Sequence, residues 1–176
     1  MVILLNIQPM KNLLDEITKE EPQLIDHCER VAMLSMALGK HLEVSNNLMN
    51  RLYFVALFHD IGKYKTNIEE CSLVSAAIVR SHEEYHKIAD FIMQCSENID
   101  GSGPLKMTDE NMHLFPMIVR ICDIYDTNRI KGLTHDKSLA ELRKHSDKIF
   151  PKKLMMNFSK MFTNNKDLLD VYKGKE

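Results

Sequence analysis

Apolar residues recur at steps of three and four along almost the whole chain, a spacing that predicts amphipathic helices. A first helix is expected from Pro9 to just before Pro22, with Met10, Leu13, Leu14 and Ile17 as its apolar stripe. A second runs from Pro22 to about Leu42, and its stripe is Leu24, His27/Cys28, Val31, Leu34/Ser35 and Leu38. A third follows Ser45 as N-cap, carries Leu48, Leu52, Val55 and His59 on one face, and is expected to stop at Gly62 as C-cap. A fourth is expected over 68–80 and a fifth over 83–97, followed by a loop at 98–107 that holds DGSG at 100–103. A sixth follows Thr108, is broken or restarted at Pro116, and reaches about Ile130. Two more fit 136–146 and 151–163, with a short piece from 166. Strand signals are confined to VILLN at 2–6. The pattern predicts an all-α fold, a single domain over 1–176 built as a bundle of about seven to nine helices.

Composition changes this picture little. With 176 residues and 44% apolar content, the chain can bury a core without disulfides or metals. The net charge of −2 argues against binding nucleic acid through bulk positive charge. Residues 141–176 hold nine Lys and Arg against five Asp and Glu, a mild excess that suits a solvated helix face. No apolar run approaches the ~20 residues of a membrane span, and MVILLNIQP lacks the basic start of a signal peptide. A cytoplasmic protein without membrane partners is therefore expected. Cys28, Cys71, Cys95 and Cys122 show no C-x-x-C spacing and are expected to be free thiols.

Chemistry enters where polar residues interrupt the apolar stripes. His27 and His59 fall on faces that should point to the core. Asp60 ends the apolar run LYFVALFHD, where an ionised carboxylate is costly unless something positive meets it. Asp123 and Asp126 lie inside MIVRICDIYD, another apolar helix. Two imidazoles and two carboxylates on core-facing helices are the ingredients of a divalent metal site.

The pattern H…HD…D, with its second part written LFHDIGK, resembles the HD superfamily of metal-dependent phosphohydrolases. IDHCERVAMLSMALGKHL is similar to the family helix that carries the first His. Glu97, Asp100, Gly101, Gly103, Pro104, Asp123 and Asp126 fall, with a one-residue gap, on the H-H-E-x-x-D-G-x-G-Y-P…D-x-x-D pattern of the HD-GYP branch. The likeness covers about 22–145, leaving 1–21 as an N-terminal helix and 146–176 as C-terminal helices. It implies an HD-domain-like bundle with His27, His59, Asp60 and Asp123 as ligands of one divalent ion (Fe, Mn, Zn, Co or Mg). It also implies that Asp60 and Lys63 act in catalysis, Lys63 near the substrate phosphate. Such an ion keeps positions open for a water and a phosphate oxygen, as metal-assisted phosphoester hydrolysis requires.

The chain departs from that branch at its second metal. Cys71, Cys95 and Ser96 stand where the branch keeps histidines, Gln23 stands where some members have a glutamate, and the tyrosine of G-Y-P is missing. Cys71 and Cys95 are additional candidate ligands for Zn²⁺ or Fe, or else ordinary buried thiols. His82 and His86 in RSHEEYHK share a face if that segment is helical, at a spacing superficially like the zincin motif but without a third ligand. Two functions follow from the resemblance. One is a phosphohydrolase with a single metal, acting on a nucleotide or other small phosphoester, with cyclic di-GMP disfavoured because its opening in the branch relies on two metals. The other is a degenerate HD-GYP-like signalling or partner-binding module without hydrolase activity. The oligomeric state, a dimer included, stays open.

Overall fold

The computed structural model describes residues 7–66 and 71–173. Among them are eight α-helices: α1 Lys11–Glu20, α2 Pro22–His41, α3 Asn46–Phe58, α4 Cys71–Arg80, α5 His86–Ile92, α6 Leu114–Ile130, α7 His135–Lys144 and α8 Lys152–Asn164. Four short 3-10 turns join or extend them: Gln8–Met10, Ile61–Tyr64, Glu83–Tyr85 and Lys166–Tyr172. No strand occurs among the described residues, where only two isolated bridges pair backbone. VILLN at 2–6 lies outside them. None of the described helices is long and apolar enough to cross a membrane.

The bundle is organised around α2, which packs against α1, α3, α6 and α8. Its start suits Pro22, because the first position of a helix needs no N–H donor. Cys28, Val31, Leu34, Ser35 and Leu38 of the expected stripe are buried, and His27 shares their side of the helix at partial burial. From α3 the stripe buries Leu52, Val55 and His59 in the same core.

Three local expectations are corrected. Gly62 does not cap α3: that helix ends at Phe58, and Gly62 lies within the Ile61–Tyr64 turn, outside the left-handed region. Its missing side chain serves close packing instead. A Cβ there would lie 2.5 Å from the Cys71 carbonyl oxygen and 2.7 Å from the Ser75 nitrogen at the start of α4. The fifth helix is short, because a 3-10 turn precedes it and a non-helical turn follows Ile92. His82 therefore stands before the turn, its ring 6.2 Å from that of Tyr85, while His86 is exposed at the helix start. Neither belongs to a metal-ligating cluster among the described residues. The sixth helix starts at Leu114, not after Thr108, and is not broken at Pro116. His113 caps it by accepting from the Phe115 N–H at 3.2 Å, and Pro116 sits in the first turn, where no N–H is required.

The Gly62 contact has a measurable consequence. Gly62→Ala should cost about 1–3 kcal/mol, the usual penalty of overpacking, and urea denaturation with the wild type as reference checks it.

Candidate metal centre

Two helices and one helix end bring four side chains to a single point. His27 comes from the second turn of α2 and Asp123 from the middle of α6. His59 follows the last residue of α3 with helical backbone, and Asp60 then leaves helical geometry at φ −117°, ψ 2°. On a continuous helix neighbouring residues point about 100° apart; the break after His59 lets the pair converge. One ligand atom from each of His27, His59, Asp60 and Asp123 lies within 4.8 Å of all the others. His27 Nε2 is 3.4 Å from Asp60 Oδ2 and 3.4 Å from Asp123 Oδ1. His59 Nε2 is 3.5 Å and 4.0 Å from the same two oxygens.

The imidazoles are held by their other nitrogens. His59 Nδ1 lies 2.7 Å from the Ala56 carbonyl oxygen, and His27 Nδ1 lies 2.7 Å from Asp126 Oδ2. Each partner can only accept, so Nδ1–H donates to it and Nε2 is left facing the cluster. Both Nε2 atoms are buried and make no hydrogen bond. Buried polar atoms without partners are rare. Two of them aimed at the same pair of carboxylates fit a metal ion, with His27, His59, Asp60 and Asp123 as its ligands.

Electrostatics agree with a site built for positive charge. Burial alone would raise the Asp60 pKa, but His59, His27 and the Lys63 ammonium hold it well below the usual carboxylate range. Asp123 is likewise lowered against burial, chiefly by the neighbouring His27 imidazole. Burial would lower the His27 pKa, but Asp123, Asp126 and Asp60 together push it up to about 11. Without an ion, the carboxylates thus recruit a proton onto His27.

Asp126 is fully buried beneath the ligands and accepts four hydrogen bonds. Besides His27, Arg30 donates through Nε at 2.7 Å and Nη2 at 3.0 Å, and the Tyr172 hydroxyl donates at 2.6 Å. Burial would raise its pKa, but these partners hold it at about 2. Arg30 and Tyr172 were not singled out from the sequence. Arg30 stands three positions after His27, on the same face of α2, which is a usable signal. Tyr172 lies 46 residues from its partner and gives none.

Lys63 reaches back from the 3-10 turn and donates to Asp60 Oδ2. The Cys71 thiol donates to Asp60 Oδ1 at 3.0 Å, so Cys71 borders the cluster without entering the four-ligand set. Burial, then Asp60, pushes the Cys71 thiol up to about 12. Cys95 is buried with Sγ 3.6 Å from the Phe91 carbonyl oxygen, also outside the set, and Ser96 is half-buried beside it. Glu97 spends its carboxylate on the following loop, accepting from the Leu105 N–H at 2.6 Å and the Met107 N–H at 2.9 Å. Asp100 caps a turn through the Ser102 N–H. Beside the cluster opens a cleft of about 780 Å³, lined among others by His27, Arg30, Lys63 and Lys131, with Gln23 and Glu21 at its edge.

The sequence matches the HD domain family over residues 24–128. It is 27% identical over 154 residues to the cyclic di-GMP phosphodiesterase PdeB of Borreliella burgdorferi, covering 74% of this chain and 41% of that protein. Among solved structures, a cyclic GMP-AMP specific phosphodiesterase from V. cholerae superimposes with a TM-score of 0.69 at 19% identity, over 82% of this chain and 45% of that one. An HDG"Y"P protein from Bdellovibrio bacteriovorus gives 0.68 at 18% identity, over 78% and 51%. The chain thus spans about half, or less, of the length of these relatives.

Removing the buried carboxylate tests how the cluster is held. Asp126→Asn leaves Arg30 without its charge partner, and breaking a buried pair costs about 3–5 kcal/mol. A loss near the lower end is expected in chemical denaturation of the metal-free protein, because Asn keeps part of the hydrogen bonding.

Proposed function

The chain belongs to the HD domain family, and we propose that it is a metal-dependent phosphohydrolase acting on a nucleotide or related small phosphoester through one metal site. The observation that carries this is the pair of buried, unbonded Nε2 atoms facing Asp60 and Asp123. A divalent ion held by these four residues supplies Lewis-acid polarisation of a phosphoryl oxygen and a more acidic water. The chain supplies the rest. Asp126 keeps the proton of His27 at Nδ1, so Nε2 is available as a ligand. Burial would lower the Lys63 pKa, but Asp60 raises it, so the ammonium stays charged beside the cluster. Its side chain is 48% exposed and lines the cleft, where an anionic phosphoryl group can meet it together with Arg30 and Lys131. Asp60 thus serves as metal ligand and as the anchor that aims Lys63.

The names of the relatives put cyclic dinucleotides on the substrate panel. Cyclic di-GMP is disfavoured among nucleotides and other phosphoesters, because Cys71, Cys95 and Ser96 replace the second set of ligands.

A second reading, a module that binds but does not hydrolyse, is favoured by one observation. Both oxygens of Asp60 are engaged, by Cys71 and by Lys63. These donors compete with an ion for the carboxylate, which favours binding over turnover.

Paired variants separate the two. Asp60→Asn should lose metal and turnover together. Lys63→Ala should keep the metal and lower kcat by about 10²–10³-fold, as for loss of one donor to developing charge. The measurements are metal content by elemental analysis and turnover of mono- and diesters with Mn²⁺, Fe²⁺, Co²⁺ and Zn²⁺. A metal-loaded wild type with no turnover on any of them would establish the second reading.

A further inference from the structure

The Lys166–Tyr172 turn reaches the metal centre without touching it. Only Leu168 and Tyr172 of its seven side chains are fully buried. The Tyr172 ring stands edge-on to Tyr125, with centroids 5.9 Å apart, and carries the Arg129 guanidinium 4.7 Å from its own centroid. A phenylalanine would fill that space equally well. A buried hydroxyl is unfavourable unless paired. This one is spent on Asp126 Oδ1, whose companion oxygen receives the Nδ1 proton of His27. Tyr172 is therefore two hydrogen bonds from the ring of the proposed ligand His27. Arg30 grips the carboxylate from α2, and the tyrosine holds it from the opposite end of the chain's order.

We propose that Tyr172 is a positioning residue for the metal ligand His27, acting through Asp126, so that docking of the Lys166–Tyr172 turn and divalent-ion occupancy of the cluster favour each other. This rests on the metal reading above and goes beyond it, since it adds a coupled element outside the ligand set. Partners that orient metal ligands are worth about 10–100-fold in affinity. Such coupling is reciprocal: if the docked turn tightens the metal, the metal must tighten the docking by the same factor.

The test uses the full chain and Mn²⁺ alone as probe. Tyr172→Phe keeps the ring against Tyr125 and Arg129 and removes only the hydroxyl. Its Mn²⁺ affinity by calorimetric titration should fall about tenfold. In the wild type, hydrogen–deuterium exchange of peptides covering 166–172 should slow by the same factor on saturation with Mn²⁺, while peptides covering α7 do not change. A purely structural role for the ring moves neither quantity. An affinity within twofold of wild type in the variant, or an unchanged exchange rate in the wild type, overturns the proposal and leaves the metal reading standing. If the variant does not fold, the exchange measurement on the wild type decides. A wild type that takes up no Mn²⁺ overturns the metal reading and this proposal with it, an outcome distinct from the other two.

Discussion

A carboxylate taken fully out of water is tolerated only when its charge is met and its lone pairs are filled, and Asp126 meets both demands. Its four donors come from two places on α2 and from the last turn, so one buried group ties together segments that are distant in sequence. The ligand geometry depends on this. His27 can offer Nε2 to the cluster because its other nitrogen is committed to Asp126. The same logic, with a backbone carbonyl as acceptor, holds His59.

The centre is asymmetric. One wall is formed by the α2 and α6 side chains, with Asp126 beneath them. The other is the HDIGK turn, pressed against the start of α4 by Gly62 and by the bond from its N–H to Ser75 Oγ at 2.8 Å. That contact brings Cys71 to Asp60. There the thiol donates a hydrogen bond to the carboxylate.

Much of this was legible from the chain. His27, His59, Asp60 and Asp123 stand out because each interrupts an apolar stripe that helical period otherwise fills, and the all-α fold follows from the same period. The misses have physical causes. Gly62 looked like a C-cap because glycine tolerates left-handed backbone; its role is close approach, which depends on a helix that comes later in the chain. Pro116 looked like a breaker, but its effect depends on its distance from the helix start, set by His113. Glu97 matched a motif and yet serves loop amides, since motif position does not say where a carboxylate points. Tyr172 could not be found, because its partner is fixed only by tertiary packing.

The contact between His27 and Asp126 spans 99 residues, and it has a kinetic side. Closing so long a loop carries an entropic cost that grows with the logarithm of its length, and a fold rich in such contacts folds more slowly. The pair α2–α3, close in sequence and extensively packed, can assemble first. His59 and Asp60 then stand at its end, but Asp123 joins them only when α6 docks. The cluster is therefore completed by the folded bundle and not by its local helix pairs.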